Sequence, residues 1–283
     1  MITVNSLSGG KTSSYIAANY PADYNVFSLV RTDDKKCLYP DKKIRQIVSD
    51  KIGIEFIGTL EQDSIIQTML DLEQKIGKKI NWVTGITFEK LIEKKSNHLP
   101  NIMTRYCTTN LKLTPMFHWW YKNINEPIEM RIGFRANETR RAKKMISKLN
   151  KNGLSEIKET ISKNKNGTNH WETFEWQKPR FPLIEDQIYK DKIEIYWNNN
   201  KDVKFETGYY NNCVGCFHRN PIFLKKMHNE HPNKIQWFAD QEDGIKKGRW
   251  KSEMKYKDII KWKTQTELSF DDFTDCDSGY CGL

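Results

Sequence analysis

An α/β fold, in which helices cover both faces of a parallel sheet and a cysteine-bearing extension follows it, is what this chain of 283 residues predicts. Three observations carry that expectation. Short apolar runs alternate with helical periods through the first half of the chain. A run of hydroxyl residues and two glycines, Ser8-Gly9-Gly10-Lys11-Thr12-Ser13-Ser14, joins the first apolar run to the first helical one, and Cys213-Val214-Gly215-Cys216 puts two thiols on one late turn. Alternation favours a parallel sheet because parallel neighbours need a crossover, and the usual crossover is a helix lying on the sheet.

In chain order, residues 2–7 read as the first strand and residues 11–19 as the first helix. Val26-Phe27-Ser28-Leu29-Val30 is a buried strand by its apolar run, and residues 41–50 are helical because Ile44, Ile47 and Val48 recur at helical spacing. Residues 55–58 read as a third strand, 64–75 as a helix and 129–133 as a further strand. Phe117, Trp119, Trp120 and Tyr121 read as core. The lysine-rich stretch 143–180, with its KLNKNG and SKNKNG runs, reads as a surface insertion. From about residue 185, helices, turns and many aromatics read as an extension packed on the same core.

The hydroxyl and glycine run suits an anion. Two glycines let the backbone turn tightly, and the helix behind them aims its unpaired N–H groups and the positive end of its dipole at whatever fills the turn. Ser8, Thr12 and Ser13 add donors and Lys11 adds a point charge, so a phosphate or pyrophosphate is the expected occupant. A Walker loop is excluded, since its first glycine would fall on Asn5 and its interior would fall on strand. A Ser/Gly turn that only caps a helix is the simpler alternative.

The loop resembles the S-G-G-x-(D/T)-S segment of the PP-loop adenine nucleotide alpha-hydrolase superfamily, and later segments narrow the likeness to its phosphoadenosine phosphosulfate (PAPS) reductase family. Arg31-Thr32-Asp33-Asp34 is similar to the acidic turn that borders the nucleotide there. Residues 105–115 resemble the R-x-C-x-x-x-L-K-x-x-P segment, residues 132–141 the G-x-R-x-x-E-(S/T)-x-x-R segment with its last arginine one position early, and Phe181-Pro182-Leu183-Ile184 the late P-L-I strand. The likeness implies a Rossmann-like nucleotide-binding domain over 1–184 and an extension over 185–283. Its expected nucleotide contacts are Ser8, Gly9, Gly10, Lys11, Thr12, Ser13, Asp33, Arg135 and Arg140.

Cysteine usage carries a second expectation. Six cysteines are too few for a disulfide framework in a chain of 283 residues, so their clustering reads as metal or redox chemistry. The resemblance implies a [4Fe–4S] cluster held by Cys107, Cys213 and Cys216, with zinc as the alternative on the same ligands. Cys281, Cys276, Cys37 and His218 are candidates for a fourth ligand. The terminal Tyr280-Cys281-Gly282-Leu283 is similar to the tail that supplies the nucleophilic cysteine of sulfonucleotide reductases, which makes Cys281 a candidate catalytic residue beside Lys11.

Composition bounds the partners. Net charge is +10, which favours polyanions, and no apolar run reaches the roughly 18 residues of a membrane span. A cytoplasmic enzyme without membrane contact is expected. The loop is closer to members of the superfamily that cleave ATP between the α and β phosphates, with Mg²⁺ on the phosphates, than to those that hold PAPS. The resemblance thus implies adenylation of an acceptor, nucleic acid among the candidates, with a thiol or sulfur-donor protein as a further partner. Reduction of PAPS or adenosine phosphosulfate through Cys281 is the alternative, and a nucleotide-sensing or nucleic-acid-binding protein without catalysis is the third.

Overall fold

A computed structural model describes residues 1–206, 213–243 and 247–262. The elements are β1 (Thr3–Leu7), α1 (Lys11–Asn19), β2 (Tyr24–Ser28), α2 (Lys42–Ile52), α3 (Ser64–Ile76), β3 (Ile80–Val83), α4 (Phe88–Lys94), α5 (Tyr106–Thr108), α6 (Thr114–Asn123), β4 (Ile128–Arg131), α7 (Thr139–Ile146), β5 (Ser155–Lys163), β6 (Asn169–Arg180), α8 (Pro182–Glu185), α9 (Lys190–Asn199), α10 (Pro221–Glu230), α11 (Pro232–Gln241) and α12 (Tyr256–Lys261). One six-stranded sheet has the order β3-β2-β1-β4-β6-β5. Every neighbouring pair is parallel except β5 with β6.

Alternation along the strands sends side chains to two cores. Leu7, Phe27 and Trp82 meet Ile16 of α1, Met69 of α3 and Trp197 of α9 on one face. Val4, Val26 and Met130 meet Phe117 and Trp120 of α6 on the other. Helices therefore cover both faces, as the strand–helix rhythm predicts. A third apolar cluster joins α4 to α10, α11 and α12, with Phe88, Trp237, Phe238, Trp250 and Tyr256 at its centre. Helix α2 is closed at both ends by its sequence: Asp41 caps it through the N–H groups of Lys43 and Ile44, and Gly53 ends it in the left-handed conformation. Among the described residues no helix is long and apolar enough to cross a membrane.

Three expectations are corrected. Residues 55–58 are not a sheet strand: Gly58 bridges only to Thr32 and Leu38, and Ile57 accepts from the Tyr39 N–H, so this segment pairs with the loop after β2. The third strand is β3, too short and too mixed in sequence to announce itself. Residues 181–184 form no strand either, since β6 ends at Arg180 and Pro182 opens the helical turn α8, where its missing N–H costs nothing. The stretch 143–180 is only in part an insertion. Residues 177–180 pair with β4 inside the sheet and Trp176 is buried in the core, whereas β5 and the rest of β6 project as a hairpin arm.

Candidate functional site

The strand order reverses between β1 and β4, with β2 and β3 on one side and β6 and β5 on the other. At such a switch point the connections leaving the carboxyl ends of the two strands diverge and open a crevice, which is where open α/β sheets take ligands. Residues 8–10 leave β1 there and residues 132–135 leave β4. Residues 132–135 lie against the start of α1, since a Cβ on Gly133 would lie 3.4 Å from the Ser13 nitrogen.

The loop is shaped by Gly9, whose φ of +83° is one that side chains rarely adopt and whose added Cβ would lie 2.4 Å from Ile65 Cγ2. Gly10 is the N-cap of α1, and no side chain caps that end. The N-terminal N–H groups thus keep donors for a ligand. Ser8, Thr12, Ser13 and Ser14 are all buried. The Ser8 N–H donates to Ser13 Oγ at 3.2 Å, the two hydroxyls lie 3.1 Å apart, and Ser13 Oγ donates to the Gly10 carbonyl at 3.1 Å. Ser14 Oγ is buried without a hydrogen-bond partner.

The charged residues expected at the nucleotide stand on several different elements. Lys11 is ion-paired with Glu194 of α9, and its carbonyl accepts from Trp197 Nε1 at 2.9 Å, so α9 is strapped onto the start of α1. Arg135 is buried and held by Glu138, whose Oε2 accepts from the Arg135 backbone N–H at 2.9 Å and from its Nε at 3.1 Å. The same carboxylate pairs with Arg141, which lies 4.5 Å over the Phe134 ring. Asp33 stands beyond β2, with Lys90 Nζ at 3.3 Å and Arg31 Nη1 at 3.8 Å. Arg140 is on the exposed face of α7. Glu138 is legible in the sequence three residues after Arg135; Glu194 is 183 residues from its lysine and carries no local signal.

Cys107 and Cys213, two of the cysteines expected to act together, pack against the same apolar cluster. Cys213 bridges to Glu61, and the Val214 N–H donates to the Leu60 carbonyl at 3.0 Å. The C-x-x-C turn is then fixed from three sides: Tyr256 Oη donates to the Gly215 carbonyl at 3.0 Å, Arg219 Nε to the Cys213 carbonyl at 3.1 Å, and Lys251 Nζ to the Phe217 carbonyl at 2.9 Å. Cys107, at the start of α5, faces this turn. Burial, then the neighbouring Cys216, pushes the Cys107 thiol up to about 11, and the same two causes raise Cys213 well above the usual thiol range. Glu61 has one carboxylate oxygen 2.7 Å from Lys112 Nζ and its other oxygen buried without a partner.

Thiols are the donor type that a thiophilic ion or cluster takes. Among the described residues, however, no group of three or more His, Cys, Asp or Glu side chains is placed so that it could hold a metal ion. Of the candidates for a fourth ligand, Cys37 lies elsewhere, its thiol pushed up to about 12 by burial and by Asp34. His218 shares Arg105 as a neighbour with Cys107 and Cys216, and its Nε2 is buried without a partner. Cys276 and Cys281 lie outside the described residues. The basic run near residue 250 is not an aromatic stacking platform, because Trp250 and Tyr256 are core residues.

Gly215 gives the turn its own test. A Cβ there would lie 2.2 Å from the Phe238 ring. Gly215→Ala should lower stability by about 1–3 kcal/mol, the usual cost of overpacking a closed core. Chemical denaturation of both proteins measures it.

Burial also sets an acid limit. The pKa values of His218, His228 and His231 are all lowered, by burial first and then by Arg105 and Lys251, by Lys225, and by Lys234 respectively, with His218 at about 4. Each folded value lies below the unfolded one of roughly 6.5, so the unfolded chain binds more protons between the two. Their contribution to stability is present above about pH 6.5 and lost as pH falls through the folded values. The urea midpoint should drop between pH 7 and pH 5, and His218→Gln with His231→Gln should flatten that slope.

The fold and the crevice thus define an α/β protein with a buried hydroxyl-rich loop at the switch point of a mostly parallel sheet. Compared with known proteins, the chain matches no family model, no curated protein and no solved structure.

Proposed function

We propose that the chain binds an adenine nucleotide through its pyrophosphate at the loop of residues 8–13 and acts as a PP-loop enzyme of the PAPS reductase type. The observation that carries this reading is the buried set of hydroxyls and the uncapped helix start at the switch point between β1 and β4. In the reaction proposed, an acceptor oxygen attacks the α-phosphorus of ATP. The bond from that phosphorus to the bridging oxygen breaks, pyrophosphate leaves, and the acceptor proton passes to solvent. Backbone N–H groups of the loop and α1 hold the leaving pyrophosphate where its charge develops. Lys11 adds a cation once the phosphates draw it from Glu194. Mg²⁺ entering with ATP would neutralise the phosphates.

Sulfur handling follows from the cysteines. Cys107, Cys213 and Cys216 are the thiols proposed to take a [4Fe–4S] cluster or zinc, with His218, Cys276 and Cys281 as candidates for a fourth donor, although no described set of side chains is arranged for a metal. An iron–sulfur cluster supplies sulfur binding or electron transfer at that position. Zinc supplies a closed structural clamp.

Incubation with ATP, Mg²⁺ and an oligonucleotide acceptor should release pyrophosphate and leave AMP on the acceptor, and a sulfur donor that displaces the adenylate should then free AMP, with added PAPS left intact. Sulfite released from PAPS in the presence of a thiol, with ATP untouched, would instead identify a reductase that uses Cys281. Iron, zinc and sulfide quantified after anaerobic purification decide the metal. Alanine at Cys107, Cys213 or Cys216 should lower metal content and melting temperature together.

A further inference from the structure

We infer that the acceptor is a single-stranded nucleic acid, bound along a basic track that runs from α7 onto the outward face of the β5–β6 arm. This rests on the adenylation reading above and names its substrate class. Between Thr139 and Ser155 the chain carries Arg140, Arg141, Lys143, Lys144, Lys148 and Lys151 and no acidic residue. Arg140, Lys143, Lys144, Lys148 and Lys151 are exposed. None of these five pairs with a carboxylate among the described residues, although lysines elsewhere in the fold, such as Lys51, Lys75 and Lys112, do. Like charges three and four residues apart disfavour a helix. A polyanion laid along them removes that repulsion and releases its own counterions.

The track begins at the proposed reaction centre. Residues 132–135 line the crevice beside Ser13, and α7 follows them after one turn, Ala136–Glu138. Its far end reaches the arm. Asn150 and Asn152 donate to Glu175, and Asn150 also to Glu156 at 2.9 Å, so the turn after α7 is fastened to the outward face of the hairpin base.

That outward face is polar except at one point. Glu156 and Lys158 on β5, and Thr173 and Glu175 on β6, are exposed, while the alternate residues Ile157, Phe174 and Trp176 turn toward α6. Trp171 lies on the outward side opposite Thr160 and is 53% exposed. No local packing calls for an indole there. Exposed on a polar face, it offers a stacking surface that every base fits. Lys163 and Lys165 follow toward the arm tip, where residues 160–171 carry no acid. An eight-residue helix of about 12 Å and the roughly 13 Å from Glu175 to Trp171 give a track long enough for several nucleotides. Stacking on Trp171 needs an unpaired base, which favours a single strand over a duplex.

The test is fluorescence anisotropy of a labelled 15-nucleotide single strand against the full chain at several salt concentrations, beside the same sequence as a duplex and vesicles of phosphatidylserine. The triple variant Lys143→Gln, Lys144→Gln, Lys148→Gln should bind the single strand at least tenfold more weakly, and its salt dependence should fall by about 2 in log–log slope, three phosphate contacts being lost. Trp171→Ala should weaken the single strand at least fivefold and the duplex little. Melting temperatures and ATP affinity of these surface variants should match the parent. Equal binding of parent and triple variant overturns the track, as does a preference for the duplex or for vesicles. Loss of oligonucleotide binding in the variants, with no pyrophosphate released by the parent, keeps the track but removes the adenylation reading. ATP cleavage without oligonucleotide binding does the reverse.

Discussion

Gly9→Val should abolish nucleotide binding, lowering the affinity for ATP at least a hundredfold by calorimetry while the far-ultraviolet spectrum stays that of a folded α/β protein. Two physical effects act together. The residue sits at φ +83°, where a side chain costs about 1–2 kcal/mol and a β-branched one more, so the loop relaxes away from its shape. The new Cβ would also start 2.4 Å from Ile65 Cγ2, inside a closed contact between the loop and α3. Either movement turns the N–H groups at the start of α1 off the phosphate, and two charge-assisted hydrogen bonds lost amount to about 3 kcal/mol or more. The double variant Gly9→Val, Ile65→Ala separates the causes, because it relieves the contact and leaves the backbone strain. Partial recovery assigns the remainder to φ. Undiminished ATP affinity in folded Gly9→Val would refute a phosphate site at this loop.

Lys112→Met should destabilise the protein by about 3–5 kcal/mol, the usual cost of stranding a buried charge. Glu61 is only 2% exposed, its Oε1 lies 2.7 Å from Lys112 Nζ, and its Oε2 has no hydrogen-bond partner. Methionine keeps the volume and removes the cation. The melting temperature should then fall by on the order of 10 °C in a chain of this size. Lys112→Met with Glu61→Gln should recover most of it, since the pair then leaves no buried charge. A shift under 2 °C in the single variant would show that water reaches Glu61 and screens it. The effect should also spread to the cysteines, because Glu61 bridges to Cys213.

Lys112 illustrates how far local sequence carries. The residue is visible in the sequence as a charged position. The fold spends it on a carboxylate 51 positions earlier. Lys11 meets Glu194 in the same way, across 183 positions. Long-range ion pairs leave no periodicity, so no reading along the chain finds them. His218, by contrast, stands two residues beyond Cys216, and its sequence position already marks it as a neighbour of the thiols.

What the sequence by itself determined is everything that depends on neighbours within a few residues. Strand–helix alternation, the glycine turn at the head of α1, the capped ends of α2 and the C-x-x-C turn are set by backbone preference and by apolar spacing, which are local properties. Only the tertiary structure decided which strand became third in the sheet, since Ile80–Val83 wins its place by pairing with β2, and residues 55–58 lose it to the loop around Cys37. It decided that part of the lysine-rich stretch enters the sheet, because Trp176 finds a core in Phe117 and Trp120 that its polar neighbours hide. And it decided that Cys107 packs with Cys213 against one apolar cluster across more than a hundred residues. Packing assigns those partners, since the free energy of burial depends on which surfaces meet and not on their separation along the chain.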